Sequence, residues 1–189
     1  MMPERTVVLL GDPRLRQKAK TVTRFTPELK QLAQDMLDTM RHYQGVGLAG
    51  PQIGVLLRIF VAEIPADRDN GGSPHPQSGK TYILVNPKIT RAAAELVEGE
   101  EGCLSIPGWR GLVARPAWVE VRAQDLQGRR HKYRVDGLLA RIFQHEMDHL
   151  DGILYIDRIA GQDKLWREEA EESVELAADT ALSLSDSTR

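Results

Sequence analysis

The chain is predicted to fold as α+β. Three observations support this. Strand-like runs gather in the middle of the sequence, two strongly periodic helical segments flank them, and no strand–helix–strand alternation links them. The 189 residues suffice for one well-buried core, so a single domain is expected.

The apolar run Val7 to Leu10 stops at Gly11-Asp12-Pro13 and is expected to be a first strand, being too short for a signal-peptide core. A helix is expected to open at Thr26-Pro27-Glu28, where Thr26 can cap, Pro27 suits the first turn and Glu28 complements the dipole. Leu29, Leu32, Ala33, Met36, Leu37 and Met40 then form one apolar stripe. Gly45 to Gly54 breaks that period and leads into a strand-like run, Val55 to Ile64. Residues 65–80 have the composition of a surface loop. Tyr82 to Val85, Trp118 to Arg122 and Lys132 to Val135 read as short strands, the last two joined by a turn at Asp125 to Gly128. A second helix is expected from Asp136 as N-cap through Leu150, ending at Gly152. The Glu- and Ala-rich stretch from Asp163 to Ala178 is expected to be helical, with a frayed end after it.

A hydrophobic content of 41% with 28% charged residues fits an ordinary globular protein, and no segment reaches the length of a membrane span. The formal net charge of −2 gives no reason to expect nucleic acid or an acidic membrane as partner. The one cysteine, Cys103, excludes an intrachain disulfide and points to a reducing compartment.

The second helix contains His145-Glu146-Met147-Asp148-His149. Residues i and i+4 share a helical face, so both imidazoles can address one ion, and Glu146 stands beside that face as a proton-transfer group. Two histidines leave a coordination sphere incomplete, and three completions are open. An elongated H-E-x-x-H-x-x-G-x-x-H pattern matches at Gly152 but meets Tyr155 where its last histidine belongs. A downstream carboxylate, Glu168 or Glu169, would give a zinc endopeptidase, although glutamate recurs throughout that tail. Cys103, in Glu101-Gly102-Cys103-Leu104-Ser105, is a soft thiolate donor beside a glycine. A metal that only braces the fold is a further, non-catalytic reading. The glycines at 45, 47 and 50 have dinucleotide-loop spacing, but they precede a strand and no Lys-Ser/Thr follows, so nucleotide binding is not expected.

Taken together, Gly45-Val-Gly-Leu-Ala-Gly-Pro-Gln52-Ile-Gly54, Glu101-Gly-Cys-Leu-Ser105 and Gln144-His-Glu-Met-Asp-His149 resemble the peptide deformylases, segment by segment and in order. The likeness covers about residues 5–160. It implies partly antiparallel sheets packed around a central helix that carries the metal motif, and a catalytic domain over 1–160. Residues 161–189, which the likeness does not cover, are expected from their composition to be an acidic helix and frayed tail of the same unit. It also implies hydrolysis of the formyl group from N-formylmethionine on new polypeptides. The implied metal ligands are Cys103, His145 and His149, with Glu146 moving protons and Gln52 and the Leu104 N–H holding an oxyanion. Ferrous iron is the implied ion, with zinc or nickel able to replace it.

An extended substrate is expected to add as a strand near Val46 and Gly47, with Leu138 and Ile142 walling a methionine pocket. Arg141 is expected at the rim against the substrate backbone, and Arg110 near peptide carbonyls. Nascent formyl-Met chains are the expected partners, with transient proximity to the ribosome but no direct nucleic-acid binding and no membrane. A bacterial cytoplasm is the expected location, a mature organelle protein the alternative.

Overall fold

The computed structural model describes residues 5–65 and 77–168. Helix α1 spans Pro27–His42 and buries the expected stripe from Leu29 to Met40. Asp35 is buried on the same helix, where Arg5 Nη2 reaches it at 2.7 Å and Gln31 at 2.8 Å. Helix α2 spans Gly137–Leu150 and buries every residue from Ile142 onward.

Among the described residues eight strands form two sheets: β1 (Gly47–Ala49), β2 (Ile59–Glu63), β3 (Thr81–Ala92), β4 (Leu96–Cys103), β5 (Ile106–Pro116), β6 (Trp118–Gln124), β7 (Arg130–Asp136) and β8 (Leu165–Arg167). The larger runs β1-β2-β3-β6-β7 and the smaller β4-β5-β8, with antiparallel pairing in every ladder. Antiparallel sheets with few helices make the fold α+β.

Alternation along the large sheet divides its side chains between two cores. Phe60, Ala62, Tyr82, Leu84, Val119 and Val121 face α2, whereas Ile59, Val61 and Val85 face α1. The turn expected at Asp125 to Gly128 joins β6 to β7, with Asp125 N–H donating to the Arg129 carbonyl at 2.9 Å.

Several expectations need correction. Val7 to Leu10 joins no ladder. It is tied down instead by isolated backbone bonds, Val8 N–H donating to Gln52 O and Leu10 N–H to Ser105 O, both at 2.8 Å. Only Ile59–Glu63 of the run from Val55 is strand, because Val55 N–H turns back to Gly50 O and Leu57 N–H to Val55 O, both at 2.9 Å. β3 continues past Val85 through Asn86-Pro87, which reads as a breaker. Asn86 takes φ +51° at an irregularity in the β3–β6 register, and its side chain binds Val22 and Gln124. The β4–β5 hairpin was not expected, since Leu96–Cys103 carries three glutamates and two glycines. The proposed helix from Asp163 is replaced by a 3₁₀ turn at Gln162–Lys164 and then β8, paired with β5; residues 169–189 lie outside the described residues.

Candidate metal centre

Three elements meet at the motif residues. α2 presents His145, Glu146 and His149 on consecutive turns, β4 ends at Cys103, and β1 passes against Glu146. The donor atoms of Cys103, His145 and His149 lie within 4.8 Å of one another. Cys103 Sγ stands 3.3 Å from His149 Nε2. Two ligands on bonds of 2.0–2.3 Å at a tetrahedral angle are about 3.5 Å apart, so this pair fits one ion without rearrangement.

The first imidazole is oriented from behind. His145 Nδ1 stands 2.8 Å from Glu101 Oε2, which leaves Nε2 for the ion. Glu101 is itself fixed by Arg115, at 2.5 and 2.8 Å, and Arg115 also donates to Asp148 at 2.9 Å. Arg158 closes the chain on Asp148. A buried carboxylate would ordinarily titrate high, but the hydrogen bonds from Arg115 and His145 outweigh burial and hold Glu101 down at about 2. Burial works against a charge on His145 too, yet Cys103 and Glu101 push its pKa well up. Burial and the neighbouring His145 push His149 down, toward the neutral ligand form.

Glu146 is 4% exposed, and its Oε2 has no hydrogen-bond partner. Burial raises its pKa to about 7. An orphaned carboxylate oxygen beside three soft and borderline donors is the environment of a proton carrier next to a metal, and the donor set suits such an ion. Gly47 makes the approach possible: a Cβ there would lie 2.7 Å from Glu146 Cδ.

Gln52 is 1% exposed. Its Oε1 accepts from Ala49 N–H at 2.8 Å, which fixes the amide and turns Nε2 toward Cys103 Sγ and Ser105 Oγ, both at 3.4 Å. Leu104 follows Cys103 in the tight turn between β4 and β5, and its side chain lies against Gly45.

The remaining candidates are distributed differently. Val46 O accepts from Glu63 N–H at 2.9 Å, so that carbonyl is already used, although β1 is an edge strand of its sheet. Arg110 lies over Gly102 and pairs with Glu168 at 2.9 Å and Glu100 at 3.7 Å. Ile142 is buried in the α2 core, whereas Leu138 is 46% exposed and does not belong to that cluster. Arg141 is not at a rim either: it donates to Val97 O at 2.7 Å, Val113 O at 2.8 Å and Glu101 Oε1 at 2.9 Å, pinning α2 to β4 and β5. Reasoning from the sequence missed the roles of Glu101, Arg115 and Asp148, and that of Tyr155. The Tyr155 ring stacks on His145 with centroids 6.0 Å apart, and its hydroxyl donates to Trp109 O at 3.1 Å.

The profile of the polypeptide deformylase family matches residues 4–165. A peptide deformylase of Thermomicrobium roseum is 50% identical over 95% of this chain and all of its own length. One from a Synechococcus species is 42% identical, over 92% of this chain and 82% of that protein. Among solved structures, a peptide deformylase of Synechococcus elongatus in complex with actinonin superposes with TM-score 0.76 at 42% identity, covering 85% of this chain and 81% of that one. That of Thermotoga maritima gives 0.76 at 37%, covering 84% and 99%.

Proposed function

The chain belongs to the polypeptide deformylase family, and from that premise we propose that Cys103, His145 and His149 hold one divalent ion beside Glu146 and Gln52. The enzyme is a metal-dependent hydrolase that removes the formyl group from the N-terminal formylmethionine of new polypeptides and releases formate. The observation that carries the site assignment is the convergence of a cysteine sulfur and two imidazoles on one point, 3.3 Å apart at Cys103 and His149, next to a buried carboxylate oxygen with no partner.

An ion held by three protein groups with a free position supplies Lewis acidity and makes water nucleophilic near neutral pH. The protein does the rest. Glu146 receives the proton of the attacking water on its unpartnered Oε2 and passes it to the departing amine, a transfer suited to a carboxyl whose pKa burial has brought to about 7. Gln52 Nε2 and the Leu104 N–H donate to the oxyanion of the tetrahedral intermediate. Because Ala49 fixes the Gln52 amide beforehand, no reorganisation is needed as charge develops. The formyl-methionyl chain extends along the edge of β1 beyond Val46 and Gly47, with Ile142 in the apolar wall and Arg110 farther along.

Ferrous iron is the proposed ion, with zinc or nickel as substitutes. A thiolate ligand beside ferrous iron calls for a reducing compartment such as the bacterial cytoplasm. The same substrate implies transient proximity to the ribosome. Among the described residues no helix is long and apolar enough to cross a membrane. The endopeptidase reading through Glu169 is not favoured by the relatives, and its neighbour Glu168 is paired with Arg110.

Formate release from a formyl-Met peptide, run with anaerobically loaded iron and with zinc, tests the proposal. Release with iron exceeding release with zinc is expected. Cleavage of internal peptide bonds without formate would overturn it.

A further inference from the structure

The large sheet has one face against α2 and another that α1 covers only in part. α1 packs on β1, β2 and the first half of β3 through Ile59, Val61 and Val85. Beyond it, the positions alternating with the buried Val119 and Val121 form an open face on β3, β6 and β7. Cross-strand rows there pair Lys88 with Arg122 and Arg122 with Lys132, then Arg91 with Glu120 and Glu120 with Arg134, while Arg130 stands beside Gln124. All six basic residues are exposed. Against them stand two acidic residues, Glu120 and Asp136, leaving an excess of four positive charges in a chain whose formal total is −2.

Glu120 lies beneath its neighbours and is 5% exposed, with Lys132 at 2.8 Å, Arg134 at 3.5 Å and Arg91 at 3.9 Å. One sunken carboxylate shared by three cations holds their stems upright and leaves the outer surface positive. The face offers little apolar area: its aromatic residue, Trp118, is covered by the Arg134 guanidinium 3.9 Å from the ring centroid.

We propose that this face docks on the phosphate backbone of structured RNA. Its cations sit on a grid about 4.8 Å across the strands and about 7 Å along them. Such a grid suits a repeating line of phosphates better than one small anion, for which a converging, buried set of donors would be needed. The lack of apolar side chains to insert disfavours a lipid surface. α2 and the metal ligands lie on the other side of the sheet, so docking leaves them open. An enzyme acting on new polypeptides meets structured RNA at their source, and this partner goes beyond the deformylation reading. The near-zero total charge, which argued against nucleic acid, hides the excess because it is local.

The test is fluorescence anisotropy of a short duplex RNA against the metal-loaded full chain over a range of salt. Binding should weaken steeply as salt rises. Arg122→Glu with Lys132→Glu should lower affinity at least about tenfold and reduce the salt slope by about 2, with formate release from a formyl-Met peptide unchanged. Lys18→Glu with Lys30→Glu makes the same change in net charge elsewhere and should leave most of the binding intact. Equal loss in both double variants would overturn the proposal, as would no RNA binding by the wild type. Binding to phosphatidylserine vesicles in preference to RNA would also overturn it.

Discussion

His145 Nδ1 and Glu101 Oε2 stand 2.8 Å apart, and through that contact the β4–β5 hairpin sets the direction of a metal ligand on α2. Glu101→Gln keeps the shape but weakens the acceptor. Affinity for the ion should fall about 10- to 100-fold, measured by chelator competition, while the fold stays intact by circular dichroism. Unchanged affinity would show that the histidine is oriented by packing alone.

The same carboxyl shapes stability in acid. Its pKa is about 2 in the folded chain against an ordinary 4.5, so it contributes stability that is full above pH 4.5 and lost as pH falls toward 2. In urea titrations Glu101→Gln should be less stable than the wild type near neutral pH, and the difference should shrink across that window. A constant difference across those pH values would contradict the assignment.

Gly47→Ala introduces a Cβ 2.7 Å from Glu146 Cδ. Either the carboxylate or β1 has to move. Turnover should drop at least about a hundredfold, because small displacements of reacting groups carry such costs. Metal content should stay at the wild-type level, since the three atoms nearest the added Cβ all belong to Glu146 and none to Cys103, His145 or His149.

Gln52→Ala removes the donor that points at the Cys103 side of the site. A loss of about 10²–10³ in kcat is expected, with KM and metal content little changed. A change confined to KM would make Gln52 a substrate-binding residue and not an oxyanion donor.

Tyr155→Phe keeps the ring against His145 and removes the hydrogen bond to Trp109 O. Unfolding free energy should fall by about 1 kcal/mol with metal affinity unchanged. Tyr155→Leu, which removes the stacked ring, should weaken metal binding as well.

The helical part of this site is legible in the sequence because its signal is local. His145 and His149 are one turn apart, and the capping and periodicity of α2 announce the element that carries them. The hairpin behind them is not legible. Glu101 meets His145 across 44 residues and Arg115 meets Asp148 across 33, and neither pairing leaves a periodic trace in a strand rich in glycine and glutamate. Arg141 misleads for a related reason. Its place one turn before His145 suggests the cleft, but helix geometry does not reveal the strand carbonyls of Val97 and Val113 that capture its guanidinium. Tyr155 served in the sequence only to rule out a third histidine, and stacking on His145 is a tertiary contact that no spacing rule predicts.

Metal content is the most direct test of the central claim that a thiolate and two imidazoles hold the ion. It should be measured after anaerobic loading and dialysis of the wild type, Cys103→Ala and Glu169→Ala. The wild type and Glu169→Ala should each retain close to one divalent ion per chain, and Cys103→Ala should retain far less and release no formate. Retention of the ion by Cys103→Ala together with its loss from Glu169→Ala would contradict the account.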